Sequence, residues 1–288
     1  MCVIQGKHDE AAELYQSAVA GCETVLGPDH LETLRFTNNP AGHYSRQGRY
    51  DEGAELHQHV FARYEKALGR NHASTLTSAN NLAEMYRHQG KYDEAEEYHQ
   101  RSFTGREEAL GRDHPSTLAS VNNLAVLYCC QDEAEVLHRR AFAGYEKVLK
   151  WDHLETLTSA NNIAELLGGH GKYIEAEELH QRVLGKCEKI FGGDHPSTLE
   201  SVHNLAGLYL RQGKYDKAQE LCRRALAGFE KALRPSHLTT LLSAEGLTLS
   251  RRYLGKYDEA AALDRRTFAA RETAIEGGLC DLTRCSLC

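Results

Sequence analysis

The apolar residues of this chain recur at three- and four-residue steps, the spacing of one face of an α-helix. The segment 218–233 shows the pattern with Ala218, Leu221, Ala225, Leu226, Phe229, Ala232 and Leu233. The segment 199–209 repeats it with Leu199, Val202, Leu205, Ala206 and Tyr209. No segment shows the two-residue alternation of β-branched residues that is typical of strands. The pattern therefore predicts an all-α chain.

The helical pattern recurs along the chain with a period of 42 residues. One loop histidine marks each recurrence, at His30, His72, His114, His153, His195 and His237. The single step of 39 residues reflects a three-residue deletion between Tyr128 and Ala134. The Asp, Asn or Ser before each histidine is predicted to be the N-cap of the next helix. The glycines predicted to end that helix are Gly48, Gly90, Gly171, Gly213 and Gly255.

Each repeat is thus predicted to contain two antiparallel helices, a helix A after the histidine loop and a helix B after the glycine. Such pairs bury their apolar stripes against neighbouring pairs, which predicts a right-handed α-solenoid with a concave and a convex face. The array is predicted to occupy 1–275, with a half repeat at 5–28 and six repeats at 29–70, 71–112, 113–151, 152–193, 194–235 and 236–275. The segment 276–288, with Cys280, Cys285 and Cys288, is predicted to be a disordered tail.

The composition is typical of a folded cytoplasmic protein. The 288 residues include 34 basic and 41 acidic side chains, giving a net charge of −7, and 41% are hydrophobic. No apolar run approaches the roughly 20 residues of a membrane span, and no secretory signal is apparent at the start. The mild acidity argues against a nucleic-acid partner. Nine irregularly spaced cysteines favour reduced thiols, so we expect a soluble, cytoplasmic protein without a membrane partner.

The candidate chemical motifs have structural explanations. The loop histidines are too far apart to share a Zn²⁺ ion, because packed helices lie about 8–10 Å apart. A second column, His57, His99, His138 and His180, fails as a metal site for the same reason. The segment 168–173 lacks the features of a phosphate-binding loop, and no nucleophile–base motif occurs. We expect no metal, no cofactor and no catalytic activity.

The repeat resembles the tetratricopeptide repeat, in the 42-residue form found in kinesin light chains and nephrocystin-type proteins. The resemblance rests on the segments 112–118, 122–128 and 212–218. It also rests on recurring small and aromatic residues, at Ala83, Ala125, Ala164, Ala206, Ala95, Ala134, Ala176, Ala218, Tyr44, Tyr86, Tyr128 and Tyr209. Pro40 and Leu167 depart from the pattern, and the proline is expected to kink or weaken its helix A. The family shares a binding surface rather than a chemistry.

The resemblance implies that helix A lines the concave groove, where an extended peptide or a partner domain binds. The candidate groove residues are Arg35, Asn38, Asn80, Glu84, Arg87, Asn122, Asn161, Glu165, His203, Arg211 and Arg252. The asparagines could hydrogen-bond a peptide backbone, since an amide offers both a donor and an acceptor. They could equally bond only to neighbouring helices, and the sequence leaves both interpretations open.

The predicted function is a non-catalytic protein–protein interaction scaffold, similar to kinesin light chains. Two alternatives stay open: a repeat segment of a larger signalling protein, such as a nucleotide hydrolase with C-terminal repeats, or a degenerate array. The first helix B, at about 8–26, has no helix A of its own. The missing helix A favours the alternative of a repeat segment of a larger protein. It also leaves the apolar stripe of this helix B partly exposed, and the chain could self-associate through that stripe.

Overall fold

The computed structural model describes residues 8–38, 49–128, 132–233 and 235–276, which form thirteen helices and no strand. In chain order these are α1 His8–Leu26, α2 Leu31–Asn38, α3 Tyr50–Leu68, α4 Ala73–Gln89, α5 Tyr92–Leu110, α6 Pro115–Leu127, α7 Asp132–Leu149, α8 Leu154–Gly169, α9 Tyr173–Phe191, α10 Pro196–Arg211, α11 Tyr215–Ala232, α12 Leu238–Tyr253 and α13 Tyr257–Glu276. The even-numbered helices are the A helices, and the odd-numbered ones are the B helices. Pro40, Gly48 and the cysteines of the predicted tail lie outside the described residues.

The described residues divide into two compact units, 8–137 and 138–276, with the boundary inside α7. In the first unit, α1 to α6 pack in order, so that each of α1 to α5 contacts the next described helix along the chain. In the second unit the same holds from α8 to α13, and α10 also contacts α8 and α12. Short loops between helices that pack side by side make successive helices antiparallel. The predicted all-α solenoid of antiparallel helix pairs is confirmed.

Three of the loop histidines cap their A helices directly with the side chain. At His72, His114 and His195, the ring nitrogen Nδ1 accepts a hydrogen bond from the backbone N–H two residues later, at 3.1–3.2 Å. Each of these histidines is itself the N-cap residue. The prediction that the preceding Asp or Asn is the cap is therefore wrong at these helices. The imidazole satisfies one of the N–H groups that a helix start leaves without a partner.

Residues with positive φ end both helices of a repeat. The predicted glycines after the A helices have φ between 72° and 77°, at Gly90, Gly171, Gly213 and Gly255. A second set follows the B helices, with φ between 87° and 91°, at Gly27, Gly69, Gly111 and Gly192. At the end of α7 the matching residue is Lys150, with φ of 67°. A residue with a side chain costs about 1–2 kcal/mol in this conformation, so Lys150 is strained.

Small side chains let the helices of each repeat approach closely. The alanines predicted to do so are completely buried, at Ala83, Ala125, Ala164, Ala206, Ala95, Ala134, Ala176 and Ala218. Leu167, in the position of the helix A tyrosine, is buried as well. The tyrosine Tyr209 reaches back to the preceding B helix, where its hydroxyl donates to Glu177 Oε1 at 3.0 Å. This position therefore connects repeats as well as filling the space within a pair.

Helix α1 exposes part of its apolar stripe, as predicted. Val25 is 81% exposed and Ala18 is exposed too. None of the side chains described in α1, from residue 17 onward, is buried. The helix packs only against α2 among the contacts described for it.

Candidate functional site

A buried histidine joins helices α4 and α5 in the first unit. His99, on α5, is completely buried, and its Nδ1 lies 3.2 Å from Asn80 Oδ1 on α4. Its Nε2 lies 3.3 Å from Glu84 Oε1, an electrostatic contact without the alignment of a regular hydrogen bond. Asn80 Oδ1 also accepts a hydrogen bond of 3.0 Å from Asn123 Nδ2 on α6. Two predicted groove residues, Asn80 and Glu84, thus make contacts between helices.

The second unit contains the same cluster on α8 and α9. His180 is completely buried, with Nδ1 3.1 Å from Asn161 Oδ1 and Nε2 3.4 Å from Glu165 Oε1. Asn161 Nδ2 donates to Ser201 Oγ on α10, at 3.4 Å. The same residue types at the same repeat positions form the cluster in both units.

The carboxylate of the first cluster is held in its charged form. Burial by itself would raise the pKa of Glu84. The contact with His99 and the charge of Arg87 outweigh burial and lower this pKa to about 2. Arg87 Nη2 lies 2.9 Å from Glu84 Oε2, one turn along α4. Arg87 is therefore engaged within its own helix.

In the second unit the carboxylate pairs with the next A helix. Arg211 Nη2, on α10, lies 2.8 Å from Glu165 Oε2. Burial raises the pKa of Glu165, but His180 and Arg211 lower it by more, so the pKa lies below its usual value. His203 stands at the repeat position of the cluster's asparagine and contacts Ser243 Oγ on α12, at 3.1 Å. Burial lowers the pKa of His203, and the charge of Glu165 opposes that shift.

The remaining predicted groove residues do not join these clusters. Arg35 forms an ion pair of 2.6 Å within α2, and Arg252 pairs with Asp264 on α13. Asn38 Oδ1 is buried and has no hydrogen bond among the described residues. Asn122 is half-buried on α6. Of the predicted site, the structure groups Glu84 with Arg87 and Asn80, and Glu165 with Asn161, His203 and Arg211.

The spacing of the histidine column excludes a shared metal ion but does not reveal the contacts that His99 and His180 make. Their signal in the sequence is a shared offset, since His99 and His180 each follow a helix A asparagine, Asn80 or Asn161, by 19 residues. The glutamate one turn after the asparagine completes the pattern. A search for polar residues at linked positions in helices A and B would have found the cluster.

The clusters have no catalytic arrangement in the described part of the chain. A carboxylate can orient a histidine as a general base, but catalysis also needs a nucleophile or substrate at the second ring nitrogen. In His99 and His180 that nitrogen faces an amide oxygen instead. The described residues also contain no group of His, Cys, Asp and Glu that could hold a metal ion.

Accessible side chains of the A helices are the remaining candidates for binding. In the second unit these include Thr158, Glu200, Arg211, Leu242 and Leu249, which together we call the A-helix surface. They lie on α8, α10 and α12, three helices in contact with one another in order. Among the helices that the structure describes, none has both the length and the apolarity to cross a bilayer.

Comparisons with known proteins find repeats of one family along most of the chain. The tetratricopeptide repeat family matches residues 36–108, 74–147, 155–218 and 199–273, and a second form of that repeat matches 4–32. Two crystal structures from Podosopora anserina, named for the nearly identical TPR-like repeats of a kinesin light chain, are each 33% identical to this chain. They cover 69% and 71% of this chain and 95% and 99% of their own, with TM-scores of 0.58 and 0.57.

More distant structures share the fold. BtubC (BKLC) from P. vanneervenii is 19% identical, with a TM-score of 0.61, and the match covers 81% of this chain and 92% of that protein. A Rap protein complexed with Competence and Sporulation Factor is 16% identical, with a TM-score of 0.68 and coverage of 94% and 72%. At these identities the similarity concerns the fold alone. A comparison with curated proteins gave no match.

Proposed function

Because this chain belongs to the tetratricopeptide repeat family, in its kinesin light chain type, we propose that it is a non-catalytic, cytoplasmic scaffold for protein–protein interaction. Its partner contributes an extended peptide that binds along the A helices. The observation that carries this proposal is the order of α8, α10 and α12, which contact one another and present accessible side chains at matching repeat positions.

One repeat position shows how a peptide would meet successive helices. Thr158 on α8, Glu200 on α10 and Leu242 on α12 are spaced by 42 residues, and all three are exposed. A peptide laid across the A helices would meet one such side chain in each repeat. The three chemistries differ, so the surface can select among peptide sequences.

Two further observations support a bound peptide. The amino group of Asn80 makes no hydrogen bond within the described part of the first unit, so it can donate to a peptide carbonyl. A Rap protein that shares this fold was crystallised with Competence and Sporulation Factor, so the fold accommodates a bound factor in that protein.

The proposal can be tested with a phage-displayed library of random 12-residue peptides selected against the full chain. We expect enriched peptides that bind in solution, measured by fluorescence anisotropy. The Thr158→Trp variant places a large ring on the A-helix surface and is expected to weaken their binding at least tenfold. Glu178→Trp makes a similar change at an exposed position of helix B α9 and is expected to change affinity less than twofold.

Failure to enrich any peptide would contradict the proposed function. Peptides that bind both variants as tightly as the unmodified chain would place the binding surface elsewhere and would contradict the A-helix surface as its location. Circular dichroism and melting curves of both variants establish that they remain folded.

A further inference from the structure

Glu200 differs from the other charged side chains on the A helices of the second unit. Each of those others contacts an oppositely charged or ionisable side chain: Glu155 contacts His153, Glu165 contacts Arg211, Glu245 contacts Arg271, Arg251 contacts Glu259, and Arg252 contacts Asp264. Glu200 has neither an ion pair nor a hydrogen bond within the described part of the chain. The A-helix surface therefore carries one carboxylate whose charge is not balanced by a contact.

The surroundings of Glu200 favour a cationic partner. Its side chain reaches solvent, yet partial burial raises the pKa of its carboxylate, and the charge of His195 lowers that pKa by less. A carboxylate that has lost part of its hydration gains more from a close cation than a fully hydrated one does. An arriving lysine or arginine would supply that interaction without displacing an existing ion pair.

The next A helix, which contacts α10, presents exposed apolar side chains. Leu242, at the repeat position of Glu200, is 36% exposed on α12, and Leu249, two turns later, is 42% exposed. Gly207 stands on α10 at the repeat position of Leu249. The exposed side chains at these repeat positions are therefore more apolar on α12 than on α10. Covering exposed apolar area is favourable because it removes that area from water. An apolar side chain of the partner would therefore be stabilised over these leucines.

We infer that the bound peptide carries a lysine or arginine that pairs with Glu200 and, about three residues away, an apolar residue that covers Leu242. The spacing follows from geometry, since packed helices lie about 8–10 Å apart and an extended chain advances about 3.3–3.6 Å per residue. The inference rests on the proposed function, because it specifies the chemistry of a peptide on the A-helix surface.

The test repeats the selection of random 12-residue peptides with three proteins: the unmodified chain, Glu200→Gln and Glu178→Gln. The unmodified chain is expected to enrich peptides with a basic and an apolar residue three positions apart. Glu200→Gln should lose the basic preference and bind the original peptides about tenfold more weakly. Glu178→Gln removes an exposed carboxylate from α9 and should behave like the unmodified chain.

Two further variants test each contact separately. Glu200→Lys should change the preference at the basic position to aspartate or glutamate. Leu242→Ala should weaken the apolar preference and leave the basic one intact. All variants are checked by circular dichroism, and because both replaced residues are exposed we expect them to fold.

The outcomes separate this inference from the proposed function. If the unmodified chain enriches no peptide, the proposed function itself is contradicted. If it enriches peptides that have no basic preference, or whose affinity is the same for Glu200→Gln, the proposed function stands and this inference is overturned. Enrichment of basic peptides by Glu178→Gln but not by Glu200→Gln supports both.

Discussion

The side-chain amide of Asn161 connects three helices of the second unit. It lies on α8, its oxygen faces the Nδ1 atom of His180 on α9, and its amino group donates to Ser201 on α10. This arrangement favours the interpretation in which the asparagines bond to neighbouring helices. Because His180 is completely buried, loss of the amide leaves its ring nitrogen without an acceptor.

We predict that Asn161→Ala lowers the free energy of unfolding by about 1–3 kcal/mol, the cost of leaving a buried donor unsatisfied. Thr158→Ala, one turn earlier at an exposed position, is the matched control and should change it by less than about 0.5 kcal/mol. Urea denaturation followed by circular dichroism measures both. Equal stability of the two variants would show that the amide does not hold the helices together.

Lys150 is the one residue in the second unit with a side chain and a positive φ, among the residues described there. The matching residue after α9 is Gly192, with φ of 87°. We predict that Lys150→Gly raises the free energy of unfolding by about 1 kcal/mol, because the strain of a Cβ in this region is removed. Lys150→Ala retains the Cβ and should leave stability almost unchanged. A Lys150→Gly variant no more stable than Lys150→Ala in thermal melts would contradict the strain argument.

At the scale of the helix, a capping histidine marks the start of three A helices, those that follow His72, His114 and His195. The side chain of His195 accepts a hydrogen bond from Ser197 N at 3.2 Å, and its ring stacks on Phe191 of the preceding B helix. One side chain thus fixes the helix start and also holds the loop against α9. A chain that lost the ring would lose both contacts.

We predict that His195→Ala destabilises the chain by about 0.5–2 kcal/mol, the usual cost of removing an N-cap side chain. His195→Asn restores a capping oxygen without the aromatic ring and should recover most of that loss. Urea unfolding of the two variants separates capping from stacking. If Asn is as destabilising as Ala, the stacking on Phe191 is what His195 contributes.

At the scale of the whole molecule, stability in a solenoid is a sum of repeat terms and nearest-neighbour interfaces. A helix that buries few side chains is therefore held less firmly than one that buries many. Helix α1 has no buried side chain among those described from residue 17 onward, whereas α10 has eight buried residues along its length. Local opening is expected to be easiest where the buried contacts are fewest.

We predict that amides of α1 and α2 exchange hydrogen at least tenfold faster than those of α10 and α11, measured by mass spectrometry on the monomer. The same measurement at high protein concentration tests the proposed self-association through the exposed stripe of α1. If the α1 amides exchange more slowly as the protein concentration rises, the result supports self-association through this stripe. Protection of α1 equal to that of α10 in dilute solution would contradict the gradient of stability.

The sequence by itself determined the helices, their pairing and the family. The apolar spacing that predicts a helix involves residues within one or two turns of each other, and the 42-residue period is the recurrence of that local pattern. The burial of Ala83 and Ala206 follows because the helices of every repeat pack closely at this position. Even the glycines after the A helices were predictable, since a positive φ at Gly90 or Gly213 is a local requirement of the backbone.

Only the tertiary structure decided which residues the polar side chains contact by hydrogen bonds and ion pairs. Asn161 bonds to Ser201, 40 residues later, and Asn80 accepts from Asn123, 43 residues later. At three A helices the cap is a histidine ring rather than the preceding Asp or Asn, because the ring nitrogen of a residue such as His195 reaches the helix start. The pairing of Glu165 with Arg211 likewise depends on helices packed side by side, as does the absence of such a partner for Glu200 among the residues that the structure describes. A local pattern specifies a backbone, whereas a hydrogen bond between repeats depends on distances that exist only once the helices have packed.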